Sequence, residues 1–128
     1  MSWEQGFLDS PYHRFLGLEF SLRDDGAAEV RMPFREELVS HPDVPYLHGG
    51  VLASLLDAAG DYAVAAQLGR GVPTIDMRVD FLKTAGRESL VATAHVVKLG
   101  RSVAIADAEV RNERDELVAI GRILFSTR

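Results

Sequence analysis

Apolar and polar positions change rhythm along this chain, and the changes divide it into elements. Leu18-Glu19-Phe20-Ser21-Leu22 alternates with a period of two, and Ala28-Glu29-Val30-Arg31-Met32 does so again, the pattern of half-buried strands. Between them, Asp24-Asp25-Gly26 has the residue types of a tight turn, so the two runs predict a hairpin. Ahead of them, residues 3–8 and 11–16 read as short helical turns. Asp9 or Ser10 can cap, and Pro11 suits a first helical position. Pro33, Pro42 and Pro45 predict an irregular loop over residues 33–47, because proline lacks a backbone donor and restricts the residue before it.

A helix of about residues 50–68 follows, closed by Gly69 and Gly71 in the manner of a glycine C-cap. Its apolar residues, among them Val51, Leu52, Leu55, Leu56, Ala59, Ala63 and Val64, surround the axis instead of forming one stripe. That predicts burial on most sides. The polar remainder is narrow: Ser54, Asp57 and Asp61 are spaced three and four apart and lie along one line of the surface. The period then returns to two. Ile75-Asp76-Met77-Arg78-Val79-Asp80-Phe81 sets its apolar residues against charged ones and predicts a half-buried strand. Three more strands are expected at 89–99, 102–111 and 117–126, joined by Gly100-Arg101 and Asn112-Glu113-Arg114-Asp115, connections short enough for hairpins. Hairpin-linked strands are antiparallel. The predicted fold is therefore α+β, one curved antiparallel sheet of about six strands wrapped around one long central helix.

Composition narrows the function classes. With 128 residues, one domain over 1–128 is expected. The 14 basic and 19 acidic residues give a net charge of −5, and the cations are scattered, which argues against nucleic acid as a partner. The chain has no cysteine, so a disulfide, a thiolate nucleophile and a cysteine-bound metal are excluded, and a reducing, cytoplasmic location fits. The first residues lack a basic and apolar leader pattern. The longest apolar stretch is broken by Ser54, Asp57, Gly60, Asp61 and Gln67, so it predicts a core helix and no membrane partner. His13, His41 and His95 form no metal-ligand spacing with a neighbour, and no metal site is expected.

The candidate chemistry sits at the helix. His48-Gly49-Gly50 opens it and Asp57 lies inside it. Free N–H groups and the positive dipole end of a helix N-terminus favour developing negative charge, and a missing side chain lets a carbonyl approach. Asp57 lies eight residues from Gly49, or about 12 Å along the axis. The two cannot touch one small reacting group within one chain, so a site using both needs two copies.

The Leu47-His48-Gly49-Gly50 loop end, Asp57 nine residues after the His, the strand from Thr74 to Phe81 and the Gly100-Arg101-Ser102 turn together resemble the hotdog-fold acyl-CoA thioesterases. The resemblance runs from about residue 16 to the end, and its nearest branch is that of the phenylacetate-degradation protein PaaI. It implies hydrolysis of acyl-CoA to the free acid and coenzyme A without a metal or organic cofactor. It also implies a homodimer, assembled further into a homotetramer, with helix mouth and carboxylate contributed by different subunits. Carried over, Gly49 N–H becomes the oxyanion donor and Asp57 the general base or nucleophile. Thr74 orients the attacking water, and His48 positions the glycine turn or the thioester. Arg101, at the turn where relatives place basic residues, becomes a contact to the coenzyme A phosphates. One position departs: where relatives often carry Asn six residues before the His, this chain has Pro42, flanked by His41 and Asp43. Tyr46, Tyr62 and Phe81 suit an aromatic or medium-chain acyl group. Two other readings stay open: a hotdog dehydratase or hydratase using His41 or His48 with Asp57, and a non-catalytic acyl-CoA-binding protein.

Overall fold

The computed structural model describes residues 2–128. Two short helices, α1 (Trp3–Asp9) and α2 (Pro11–Leu16), precede the hairpin of β1 (Glu19–Leu22) and β2 (Ala28–Met32). The long helix α3 (Gly49–Leu68) leads into β3 (Thr74–Phe81), β4 (Leu90–Leu99), β5 (Val103–Arg111) and β6 (Leu117–Ser126). Local chemistry explains the boundaries. Ser2 and Ser10 accept backbone N–H groups at the starts of α1 and α2, and Pro11 occupies the first turn of α2. Gly69 ends α3 in the left-handed region at φ 78°, where its N–H reaches the Ala65 carbonyl at 2.7 Å, a conformation that favours glycine. The proline-rich loop contains one 3₁₀ turn, Glu36–Leu38.

The six strands form one antiparallel sheet in the order β1-β2-β4-β5-β6-β3. Since β3 crosses to the far edge beside β6, β1 and β3 are the open edges. On the inner face, Ala92 and Ala94 of β4 and Ala104, Ala106 and Ala108 of β5 are buried beneath α3. Small side chains there let the helix lie close, while Leu55, Leu56, Ile123 and Phe125 fill the flanks at interior density. Gly60 completes the fit: a Cβ there would come within 3.2 Å of the Phe125 ring.

The opposite side of α3 is covered by α1 and α2. Trp3, Phe7 and Phe20 pack around Tyr62, with ring centroids 4.9 to 5.1 Å from it. Cover from both sides is why the apolar residues surround α3. The apolar face of β3 lacks such cover at its ends, in contrast to the half-buried strand its alternation predicts. Ile75 is 54% and Phe81 56% exposed, because β3 lies at an open edge of the sheet. No described helix is long and apolar enough to cross a membrane.

Candidate active site

The mouth of α3 is organised by His48. Its backbone is extended, and its Nδ1 accepts the Gly50 N–H at 2.8 Å, the service a Ser or Asp oxygen usually performs at a helix start. This fixes the tautomer, because an accepting Nδ1 places the neutral ring's proton on Nε2. A Cβ on Gly50 would lie 3.0 Å from that nitrogen, so glycine keeps the cap close. The Val51 N–H is held by the His48 carbonyl at 3.0 Å. The Gly49 N–H, by contrast, finds no partner among the described residues. It borders a cavity of about 380 Å³ lined by Tyr46, Leu47, Leu52, Phe81 and Lys83.

Asp57 is partly buried on α3, and the Thr74 hydroxyl donates to its Oδ1 at 2.6 Å. Strict alternation would have turned Thr74 outward with Asp76, Arg78 and Asp80. Instead, a bulge between Thr74 and Asp76 sets Thr74 opposite buried Phe125, so its side chain faces the helix. Re-aiming a side chain is a common consequence of a bulge. A hydrogen bond to a carboxylate is worth about 1.5–3 kcal/mol, enough to hold the Asp57 rotamer. The second Asp57 oxygen has no protein partner among the described residues. The pair can thus hold a water beside a carboxylate able to take its proton.

Asp61, one turn further, is differently placed. It accepts the Val72 N–H at 3.1 Å and lines a separate cavity of about 520 Å³ with Trp3, Phe7 and His13. Burial pushes its carboxyl up to about 7, and the Asp57 charge adds to the rise while the Val72 N–H opposes it. Its hydrogen bond ties the loop after α3 to the helix.

The remaining candidates scatter. Arg101 is exposed on the β4–β5 turn, at a corner that also holds Arg70, Lys98 and Arg128. Arg70 donates to the Thr127 carbonyl, the Thr127 hydroxyl to the Gly100 carbonyl, and Arg128 to the Ser102 hydroxyl. None of these four cations is in an ion pair among the described residues. His41 accepts the Asp43 N–H at 3.2 Å in an exposed loop tip with Pro42. Tyr46 and Phe81 line the mouth cavity as expected of acyl-pocket residues, whereas Tyr62 is 7% exposed inside the aromatic cluster and is not available to an acyl group. A larger cavity of about 680 Å³ lies on the outer sheet face, away from Asp57, where Arg122 pairs with Asp107 at 2.7 and 2.9 Å. No described cluster of three His, Cys, Asp or Glu is arranged to hold a metal.

One contact had no signal in the sequence. The Tyr12 hydroxyl lies 2.8 Å from Ser54 Oγ, which donates to the Gly50 carbonyl at 2.9 Å. Ser54 stood out on the polar line of α3; nothing in the spacing of Tyr12 pointed to it.

Comparison with known proteins agrees with the fold. Residues 45–119, which include the mouth, Asp57 and Thr74, match the thioesterase superfamily. The medium/long-chain acyl-CoA thioesterase YigI of Escherichia coli is 32% identical over 124 residues, covering 85% of this chain and 80% of YigI. A solved structure from the thioesterase superfamily superposes with a TM-score of 0.91 at 40% identity, covering 97% of this chain and 94% of the other. The PaaI protein of the E. coli phenylacetic acid degradation operon gives 0.82 at 27%, covering 96% and 88%.

Proposed function

The chain belongs to the thioesterase superfamily, and on that premise we propose that it hydrolyses acyl-CoA thioesters at a site shared by two copies. The observation that carries this reading is the pairing of a free Gly49 N–H at a capped helix mouth with a Thr74-held Asp57 carboxylate. Their separation of about 12 Å along α3 makes Gly49 of the partner subunit the oxyanion donor for each Asp57. The open edge of β3, with exposed Ile75 and Phe81 beside it, supports a two-fold homodimer through that strand, since a long open edge with apolar neighbours invites pairing. A homotetramer of two such dimers and a cytoplasmic location belong to the same reading.

In this mechanism Asp57 takes a proton from a water held by Thr74 while the water oxygen bonds to the thioester carbonyl carbon. The oxyanion is met by the Gly49 N–H and the positive end of α3, donors already oriented before reaction. Collapse breaks the C–S bond, and the departing thiolate recovers the proton from Asp57. In the variant mechanism an Asp57 oxygen bonds to the carbonyl carbon as the C–S bond breaks, giving a mixed anhydride and the thiolate; water then opens the anhydride and its released proton goes to the thiolate. Appearance of ¹⁸O in the Asp57 carboxylate after a single turnover in ¹⁸O water identifies this variant. His48 acts by capping. No metal or organic cofactor is needed beyond the coenzyme A of the substrate. The apolar walls of the mouth cavity, Tyr46, Leu52 and Phe81, suit a medium-chain or aromatic acyl group, and the name of YigI points the same way for chain length. Arg101, with Arg70, Lys98 and Arg128, takes the coenzyme A phosphates, since unpaired cations favour phosphate oxygens.

The test is thiol release across a panel of acyl-CoA esters, by wild type and Asp57→Asn, with crotonyl-CoA hydration measured alongside. Release that disappears in the variant supports the reading. Hydration without release would replace it with a dehydratase or hydratase, and binding without either reaction with an acyl-CoA carrier.

A further inference from the structure

The first turn of α3 is held from two directions. His48 Nδ1 accepts the Gly50 N–H, and Ser54 Oγ donates to the Gly50 carbonyl. Since the single proton of Ser54 goes to that carbonyl, the 2.8 Å contact between Ser54 and Tyr12 has Tyr12 as donor. The chain of donation therefore runs from Tyr12 on α2 to Ser54 and on to the backbone of Gly50. Both polar groups of Gly50 are engaged by side chains, and the group left free is the neighbouring Gly49 N–H.

Such a hold matters because of what it holds. Two consecutive glycines at a helix start have the greatest backbone freedom and the fewest intrahelical bonds, so this turn would fray without outside support. An oxyanion donor is useful only if its direction is set before the reaction. Ser54 alone is a weak anchor, because a serine hydroxyl can rotate to other acceptors. The Tyr12 hydroxyl restrains that rotation by donating to one of the two Ser54 lone pairs. Tyr12 is itself braced: its ring stacks on Phe15 at 6.4 Å between centroids and 13° between planes. It is also 54% exposed, so its hydroxyl contributes little to the core.

We infer that Tyr12 is a positioning residue of the active site, acting through Ser54 to fix the Gly49-Gly50 turn that presents the Gly49 N–H. The inference rests on the proposed function only for its catalytic consequence; the tether itself is readable without turnover. Tyr12→Phe keeps the ring and its stacking and removes only the donor, so it isolates the tether from packing.

The experiment uses the full chain as Tyr12→Phe, Ser54→Ala and the double variant. Expected is a kcat lowered roughly three- to tenfold in each single variant, the scale of one hydrogen bond felt in the transition state. KM should stay within about twofold, because ground-state binding is not the property removed. The double variant should be no slower than Ser54→Ala, since both residues serve one chain of bonds. The Gly49 amide NMR signal should shift or broaden in all three. A Tyr12→Phe protein with wild-type kcat, or losses that add in full in the double variant, would overturn the inference. If wild type releases no thiol, the proposed function fails separately, and the Gly49 signal still decides: unchanged in Tyr12→Phe, it overturns the tether.

Discussion

Asp57 and Asp61 are one turn apart on the same polar line of α3, yet they live in different circumstances. Asp57 receives a side-chain hydroxyl from β3 and keeps one oxygen free; Asp61 receives a backbone N–H from the following loop, and burial pushes it up to about 7. A side-chain partner at a half-open seam leaves a carboxylate available for chemistry. A backbone partner beneath α1 and α2 makes the other a structural tie whose charge is costly. Residue type and helix position are equal, so the difference comes from the elements that face them.

The comparison breaks most severely at Asp57. Asp57→Asn should lower kcat for thioester hydrolysis by about 10³-fold with the fold intact, the scale of a lost general base. The same substitution at Asp61 should leave kcat within about threefold; a comparable loss at both positions, in a steady-state thiol assay, would erase the distinction. Asp61 instead shows itself in stability. Its folded carboxyl holds a proton up to about 7, whereas the ordinary value is 3.8. Between those values the unfolded chain binds fewer protons than the folded one, so this group makes stability fall as pH rises through the window and then level off. Asp61→Asn, which keeps an acceptor for Val72, should flatten that slope and be the more stable protein above pH 7, read from urea unfolding at several pH values.

Smaller effects sharpen the contrast. Thr74→Ala should lower kcat about tenfold by freeing Asp57, while Thr74→Ser restores most of it; equal losses in both would show that the methyl, not the hydroxyl, matters. His48→Ala should cost about 1 kcal/mol of stability, the worth of a helix cap, measured by thermal unfolding. Its catalytic loss should follow from a loosened Gly49, not from a missing acid or base.

Much of the fold was legible because periodicity reports burial directly. The switch from period two to the surrounded helix and back gave the strands and α3 close to their observed bounds, and the glycine after Leu68 ends the helix as its chemistry requires. The mouth and Asp57 were legible for a local reason: a helix start and a carboxylate inside apolar sequence are both features of one segment. The role of His48 as cap was half visible, since its position beside the glycines is local but the choice of ring nitrogen is geometric. Of the three aromatics expected to suit an acyl group, Tyr46 and Phe81 line the mouth cavity and Tyr62 is buried under α1, because aromatic character alone does not tell a cavity wall from a packed cluster.

By itself, then, the amino-acid order determined the succession of elements, the glycine-lined helix mouth and the isolated carboxylate, all consequences of neighbours within a few turns. Tertiary structure decided what meets what. The bulge that turns Thr74 onto Asp57, the crossing of β3 to an open edge, the loop N–H under Asp61 and the reach of Tyr12 to Ser54 across 42 residues all depend on strands and helices brought together from distant parts of the chain. Periodicity assigns a residue to a face of its own element. Only packing of one element on another sets which side chain lies opposite it, and at hydrogen-bond range a shift of one residue changes the partner.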